Sequence, residues 1–280
     1  MNHYIITDHL ENYRMHLMEE ERCCGTIEKY LRDIRSFLHF LGAKEVTKER
    51  VTAWKEYLSE QGYAPVTINS MLSAVNGFFG YMGWHEYRVK FLRVQRKIFR
   101  EPGRELNREE YGKLLAAART KGQERLALVM ETICATGIRV SEVKYITVET
   151  ARAGRAEISL KGKIRTILLP GKLCKKLLKY AGKNRIREGS VFITRSGGQL
   201  SRCQIWQEMK RLCAQAGVTS TKVFPHNLRH LFATVFYRAC KDIVQLADIL
   251  GHCSIETTRI YLISSGREHA RRLDRLGLVI

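Results

Sequence analysis

Two phrases in the last third of the chain, HNLRHLFAT (226–234) and ILGHCSIETTRIYL (249–262), decide how this sequence is interpreted. They carry charged or hydrogen-bonding side chains at successive intervals of three, 23 and nine residues: His226, Arg229, His252 and Tyr261. A third phrase, ATGIRVSEV (135–143), adds Arg139. The three phrases therefore supply two guanidiniums, two imidazoles and one phenol to a single candidate site.

This set of side chains suits the attack of a tyrosine on a phosphodiester. Arginine holds the nonbridging oxygens with a rigid, permanently charged, bidentate group. The negative charge of the pentavalent state needs donors that are already in place, and the leaving oxygen needs a proton from a general acid. None of these steps requires a metal ion, and we expect neither a metal nor a cofactor.

Charge is unevenly distributed along the 280 residues, which have a formal net charge of +20. Residues 1–95 contain 12 basic and 12 acidic side chains, whereas residues 96–280 contain 36 and 16. Such an excess indicates a polyanionic partner. Because the excess is confined to the second part, a ribosomal or nonspecific coating protein, which is more often basic throughout, is disfavoured.

The first 95 residues have the apolar spacing of helices. Four segments with plausible start and stop residues are predicted, at 7–20, 26–42, 47–62 and from 65 onward, with Gly42 ending the second and Thr47 beginning the third. Four helices of this length with short connections predict a compact bundle.

The remainder has a mixed pattern that begins after a basic linker at 96–106, which contains Pro102 and Gly103. Asn107 and Glu110 resemble a capping box. The sequence predicts further helices, a hairpin of strands 156–162 and 164–170 with its turn at Gly162-Lys163, a strand SVFIT (190–194), and one helix over 201–217. The expected fold class is therefore mainly α with a small β-sheet: a four-helix domain followed by an α+β domain.

Several features exclude other classes of protein. No run of residues is apolar enough for a membrane span, and the N-terminus lacks the pattern of a signal peptide. The eight cysteines show no C-x-x-C or Cys/His spacing typical of a zinc site. We expect free thiols in a reducing cytoplasm.

The three phrases, in this order and at this spacing, resemble the signature boxes of the tyrosine recombinase (phage integrase) family. By motif the resemblance covers about residues 105–265, and the total length is similar to Xer proteins and compact mobile-element integrases. It implies a helical core-binding domain at 1–95, the basic linker at 96–106, a catalytic domain at 107–264 and a docking segment at 265–280.

The resemblance also implies residue roles. Tyr261 would form a 3′-phosphotyrosine link, while Arg139 and Arg229 would clamp the scissile phosphate. His226 would assist proton transfer and His252 would donate to a phosphate oxygen. Supporting residues would be a bracing carboxylate, a leaving-group acid and basic linker residues on the DNA backbone: Glu142, Lys161, and Arg96, Lys97, Arg100 and Arg104.

One assignment stays open, because the family hairpin commonly reads K-G-x-K-x-R before a proline and KGKIRTILLP (161–170) is shortened and shifted. Lys163 is therefore an alternative to Lys161 as the general acid. Leu231 also departs from the threonine common after R-H in the family, at a packing position.

The implied function is site-specific DNA recombination through a Holliday junction, without ATP, on a double-stranded target site. The implied assembly is a tetramer on DNA, homomeric or shared with a related recombinase, with an accessory directionality factor as a further expected partner and the nucleoid as its location. Two alternatives remain: a type IB topoisomerase-like enzyme, which would relax plasmid without a specific site, and a non-catalytic regulator, which would have an incomplete catalytic set.

Overall fold

The structure is a computed structural model that describes residues 3–94, 103–160, 163–194, 196–252, 254–261 and 274–275. Within the hairpin, the side chains of 159, 160, 163 and 164 are not described. The chain divides into two compact units, 1–96 and 97–280. The architecture is mainly helical with one small sheet, which confirms the predicted fold class.

The first unit contains four helices followed by a short 3-10 helix at His85–Tyr87. The helices are α1 (Thr7–Glu19), α2 (Cys24–Leu41), α3 (Lys48–Glu60) and α4 (Pro65–Tyr81). Gly42 ends α2 with φ +64°, and the Thr47 hydroxyl caps α3 by accepting from the amide of Arg50. Both signals were read from the sequence, and the second helix begins two residues earlier than Thr26.

The core of the first unit is rich in aromatic residues. Trp54 and Phe37 are fully buried and meet edge to face, with ring centroids 5.2 Å apart. Phe79 packs against Phe37 at 6.0 Å, so one face each of α2, α3 and α4 is fixed. Such aromatic contacts contribute more than the buried area alone. On α1, Leu17 is buried whereas Met18 is exposed.

The second unit has nine helices among its described residues, together with short 3-10 helices at Val140–Tyr145 and Ser220–Lys222. The helices are α5 (Arg108–Thr120), α6 (Glu124–Thr136), α7 (Val148–Ala153), α8 (Gly171–Lys183), α9 (Arg202–Lys210), α10 (Cys213–Ala216), α11 (Pro225–Cys240), α12 (Ile243–Leu250) and α13 (Ile255–Arg259). The Asn107–Glu110 capping box at the start of α5 is present in both directions.

The sheet of the second unit is one antiparallel pair, β1 (Arg155–Leu160) and β2 (Lys163–Leu168). Ile158 lies opposite Arg165 in the register. Because side chains alternate between the two faces of a strand, Arg165 shares a face with buried Ile167, while Leu168 is exposed. The sheet thus directs an arginine inward.

The structure corrects three local predictions. The segment 190–194 forms no strand but two single bridges, Thr147 with Ser190 and Ile193 with Gln199, since its amides bond to separate turns. The single helix predicted over 201–217 is divided into α9 and α10. Lys163 is the first residue of β2 and pairs with Leu160 of β1, so it belongs to the strand and not to the turn.

Two helix ends bring the three quoted phrases together. Gly137 closes α6 in the left-handed conformation with φ +66°, and Gly251 closes α12 in the same way with φ +63°. Helix α11 packs against both α6 and α12.

Within the described part of the chain, no helix combines the length and apolar character needed to cross a membrane.

Candidate active site

Arg229, near the beginning of α11, is the buried centre of the site and is 2% exposed. One terminal nitrogen donates to the carbonyl of Gly137, and the other donates to the carbonyl of Leu250 at 2.8 Å. Both carbonyls belong to helix ends, whose last carbonyls have no partner within the helix. The ends of α6 and α12 therefore orient this guanidinium.

Arg139 follows directly after the turn that ends α6. Its backbone amide and its side chain both donate to Glu142, at 2.7 and 2.9 Å. Glu142 is buried, whereas the Arg139 side chain is 43% exposed. Arg139 is thus anchored at one edge and open to solvent at the other, as a ligand-binding donor requires.

Arg165 is a third guanidinium in the site, and the sequence interpretation missed it. Its NH1 atom lies 3.2 and 3.3 Å from the two carboxylate oxygens of Glu142, and NH2 donates to the carbonyl of Ile249 at 2.7 Å. Its Nε atom is buried with no hydrogen-bond partner among the described residues. Burial, partly offset by Glu142, lowers the pKa of Arg165 to about 10.

His252 lies just beyond Gly251, with each ring nitrogen in a hydrogen bond. Its Nε2 is 2.8 Å from NH2 of Arg229, and its Nδ1 is 2.8 Å from the hydroxyl of Thr258. Burial first, and then the charges of nearby basic groups, lower the pKa of His252 to about 4. The ring is therefore neutral at physiological pH.

Tyr261 is 3% exposed and is surrounded by the other predicted residues. Its ring stacks on that of His252 at a centroid distance of 5.9 Å with 10° between planes. The ring of His226 lies 6.3 Å away. A hydrogen bond between the Tyr261 side chain and Arg229 opposes the lowering of the arginine pKa by burial.

His226 occupies the first turn of α11 and is exposed. Partial desolvation of the imidazole, followed by the positive charges of Arg229 and Arg139, holds its pKa below the ordinary value. An exposed, mainly neutral imidazole beside a tyrosine can accept a proton. This chemistry matches the proton-transfer assignment from the sequence.

The balance of charge in the site favours an anion. Three guanidiniums, from Arg139, Arg165 and Arg229, face a single carboxylate from Glu142. A partly buried excess of positive charge raises the local concentration of anions and binds them strongly, since screening by water is weak. The site can therefore hold a phosphate group beside the Tyr261 hydroxyl.

For several predicted residues the structure describes no side chain. Lys161 is outside the described residues, and for Lys163 only the backbone, at the first position of β2, is described. Three of the linker candidates also lie outside the described residues: Arg96, Lys97 and Arg100. The carbonyl of Arg104 accepts a hydrogen bond from the Asn227 side chain at 2.8 Å, which ties the end of the linker to α11.

The structure adds three residues that the interpretation of the motifs omitted. Arg165 was present as the arginine of the hairpin pattern, and Thr258 lies three residues before Tyr261 in the third phrase. His230 follows Arg229 directly. Its ring meets that of Tyr261 edge to face with the centroids 4.9 Å apart, and its Nε2 lies 3.3 Å from a carboxylate oxygen of Glu105. Each lay inside a quoted phrase or hairpin, so adjacency to a motif was the available signal.

Two family models and a curated relative match this chain in sequence. A model of the phage integrase family matches residues 104–267, and a model of the phage integrase N-terminal SAM-like domain matches residues 10–86. The tyrosine recombinase XerD of Brucella melitensis is 30% identical, over 90% of this chain and 91% of the relative.

Solved structures share the fold. A lambda integrase dimer bound to a COC′ core site superposes with a TM-score of 0.73 at 17% identity, covering 93% of this chain and 77% of that one. A lambda integrase tetramer bound to a Holliday junction gives a TM-score of 0.71 at 18% identity, covering 91% and 76%. At these identities the comparison establishes the fold alone.

Proposed function

Because this chain belongs to the phage integrase family and is a site-specific tyrosine recombinase, we propose that Tyr261 carries out its DNA cleavage. In this proposal the Tyr261 oxygen attacks the scissile phosphate and forms a 3′-phosphotyrosine link, which releases a 5′-hydroxyl. A 5′-hydroxyl of the exchanged strand later attacks that link and restores the tyrosine. The covalent link conserves the phosphodiester, so rejoining needs no ATP.

One observation carries this proposal: the Tyr261 side chain lies within hydrogen-bonding reach of Arg229 and stacks on His252, inside a cluster with excess positive charge. A phosphate that binds the guanidiniums is then within reach of the nucleophile. Proximity of this kind is among the largest contributions to enzymatic rate. The ring of His226, 6.3 Å from that of the buried Tyr261, adds an acceptor for the tyrosine proton.

The arginines have distinct roles in the proposal. Arg229, fixed by two helix-end carbonyls, provides a rigid donor for a nonbridging oxygen, and the more exposed Arg139 provides a second. Glu142 braces Arg139 through two bonds. Donors that are oriented before the reaction stabilise developing charge without reorganising.

The histidines and a lysine would move protons or complete the phosphate cradle. His226 assists the transfer of the tyrosine proton, and His252 donates to a phosphate oxygen. A lysine of the hairpin, Lys161 or Lys163, protonates the leaving 5′-oxygen. Lys161 lies between β1 and β2 in the sequence and Lys163 is the first residue of β2, and the same strand carries Arg165 into the site, which supports this assignment.

The proposed substrate is double-stranded DNA with a specific site. The basic second unit would bind the backbone electrostatically, and affinity would fall steeply with salt concentration. The four helices of the first unit would also contact the DNA. The linker at 96–106 would bind the backbone through its basic residues Arg96, Lys97, Arg100 and Arg104. We place the protein with the nucleoid for this reason.

The proposed assembly is a tetramer, because exchange between two duplexes requires four cleavages. The lambda integrase structures on a core site and on a Holliday junction support this analogy. Segment 265–280 would dock within or between subunits. A related recombinase as co-subunit and an accessory directionality factor are further proposed partners.

A covalent-trapping experiment tests the proposal. A nicked duplex whose short fragment diffuses away after cleavage would trap a protein–DNA adduct, which a denaturing gel resolves. Tyr261→Phe should form no adduct while retaining DNA binding in a gel-shift assay. Tyr237→Phe removes a phenol hydroxyl from the same helix-packed cluster and should form the adduct normally; an adduct with Tyr261→Phe would refute the assignment.

A further inference from the structure

The two hydrogen bonds of His252 define its tautomer. A guanidinium can only donate, so Nε2, which is 2.8 Å from NH2 of Arg229, must be the unprotonated nitrogen. In a neutral ring the proton then resides on Nδ1. Nδ1 lies 2.8 Å from the hydroxyl of Thr258, so it donates to that oxygen.

This resting tautomer is unsuited to the proposed role of His252. Donation to a phosphate oxygen requires a proton on Nε2, the nitrogen that faces Arg229. Two changes could supply it: protonation of the whole ring, or transfer of the single ring proton from Nδ1 to Nε2. The two routes differ in net charge and therefore in their dependence on pH.

The surroundings of His252 oppose protonation of the ring. Among the described residues, four basic groups from three elements act on the ring: Arg139 after α6, Arg165 on β2, and Arg229 and His226 on α11. The phenol of Tyr261 also faces it. Together with burial the basic groups keep the pKa of the ring near 4. A phosphate offsets part of this charge, but transfer of the proton within a neutral ring adds no further cation.

We propose that the Thr258 hydroxyl is a positioning group that allows His252 to exchange tautomers when DNA binds. This inference rests on the proposed recombination chemistry. In the free protein the hydroxyl accepts from Nδ1–H. When phosphate takes over the Arg229 N–H, the half-buried ring exchanges protons with solvent. Nε2 takes one proton from water and Nδ1 returns one to water, so the charge of the ring does not change, and the Thr258 hydroxyl rotates to donate to Nδ1.

The chemistry of a hydroxyl makes this exchange possible. A threonine hydroxyl is both donor and acceptor and can rotate about its Cβ–Oγ bond, so it satisfies Nδ1 in either tautomer. Thr258 is fully buried, so water is not on hand to replace its oxygen. An apolar residue there would leave Nδ1 unsatisfied in a buried place, which is costly.

Thr258 also connects His252 to the nucleophile. Its backbone carbonyl accepts a hydrogen bond from the backbone amide of Tyr261 at 3.0 Å, while its side chain contacts His252. One residue thus positions the phosphate donor through its hydroxyl and the nucleophile through its main chain. Substitutions that keep the backbone isolate the side-chain function.

The chain offers matched variants for a test. Thr258→Val removes the hydroxyl at nearly constant shape, and Thr258→Ser retains it. Thr257→Val makes the same chemical change at the adjacent, exposed threonine. All are made in the full-length protein and compared in single-turnover cleavage of the nicked duplex and in gel-shift affinity.

Thr258→Val should cleave about ten- to a hundredfold more slowly, as expected for one buried unsatisfied group, with unchanged DNA affinity. Thr258→Ser and Thr257→Val should remain within about threefold of wild type, since both keep the hydrogen bond to Nδ1. Wild-type cleavage by Thr258→Val, or equal loss in the serine variant, would overturn the role of the hydroxyl.

Nitrogen-15 NMR of labelled histidines reads the tautomer directly. The His252 signals should show a protonated Nδ1 in the free protein and a protonated Nε2 in a complex of Tyr261→Phe with uncleaved DNA. A protonated Nδ1 with an unprotonated Nε2 in both states would refute the exchange. This measurement needs DNA binding but not cleavage. Failure of the wild-type protein to form an adduct would therefore count against the recombination chemistry, while the NMR signals would still report the tautomer of His252.

Discussion

The carboxylate of Glu142 is held by Arg165 across 23 residues of sequence, with NH1 of the arginine 3.2 and 3.3 Å from the two carboxylate oxygens. The same guanidinium donates to Ile249 at the end of α12. Gly251 lies so close that a Cβ atom there would overlap the Arg165 side chain. Arg165 therefore joins the hairpin, the Arg139–Glu142 turn and the turn before His252.

We expect Arg165→Met to destabilise the second unit by about 3 kcal/mol, because it leaves a buried carboxylate with one partner fewer. Cleavage should fall by more than about tenfold, since Glu142 positions Arg139. Urea unfolding and adduct formation measure the two effects. Arg259→Met, which breaks the exposed pair with Glu256, should cost less than about 1 kcal/mol; equal losses in the two variants would contradict the bridging role.

Gly137→Ala should be more damaging than Gly154→Ala, although both glycines end helices at similar positive φ, +66° and +70°. The added Cβ at Gly137 would overlap the ring of Phe232 and lie 3.0 Å from Leu250, whereas Gly154 has open space. Backbone strain alone costs about 1–2 kcal/mol, and overpacking adds about 1–3 kcal/mol. Thermal unfolding of the two variants compares them.

The same substitution should reduce cleavage, because the Gly137 carbonyl orients Arg229. Gly154→Ala should keep the wild-type cleavage rate under conditions in which it is folded. If both variants unfold at the same temperature, the contact with Phe232 does not limit the packing of α6 on α11.

Acidic pH should weaken folding through His252. Its pKa in the folded protein, about 4, lies below the ordinary value of 6.5, so the unfolded chain binds a proton across this window and the folded chain does not. The stabilising contribution is full above pH 6.5 and is lost as pH falls toward 4. Between pH 7 and 5 we expect a loss of about 2 kcal/mol from this ring.

Urea unfolding of wild type and His252→Gln at pH 7 and pH 5 checks this sign. The wild type should lose about 2 kcal/mol more than the variant over this interval. His39→Gln, at an exposed histidine of the first unit, should lose as much free energy of unfolding as the wild type between pH 7 and pH 5. A smaller loss in wild type than in His252→Gln would show that the ring is protonated in the folded state.

The leaving-group acid can be identified by substrate chemistry. A bridging 5′-sulfur leaves as a stable thiolate, so cleavage of such a substrate no longer depends on a general acid. If Lys161 is the acid, Lys161→Ala should lose about two to four powers of ten on oxygen and recover on sulfur, while Lys163→Ala changes little on either. The reverse pattern would assign the role to Lys163, and no rescue in either would exclude both.

Local features of the fold were predictable because their causes are local. The Gly42 stop, the Thr47 cap, the Asn107–Glu110 box and the antiparallel hairpin all depend on neighbours within a few residues. The segment 190–194 looked like a strand by composition, yet its amides found separate partners. β-propensity describes a half-buried surface and does not choose the partner.

The sequence by itself determined the chemistry that is available: the spacing of His226, Arg229, His252 and Tyr261, with Arg139, defines a family and a kind of reaction. Only the tertiary structure decided that Arg165 and Thr258 join these residues, that Arg229 is buried and that Arg139 is open. The physical reason is that the guanidiniums are positioned by carbonyls far away in the chain: Arg165 donates to the carbonyl of Ile249, 84 residues away, and Arg229 to that of Gly137, 92 residues away. Residue patterns specify donors, and folding chooses their acceptors.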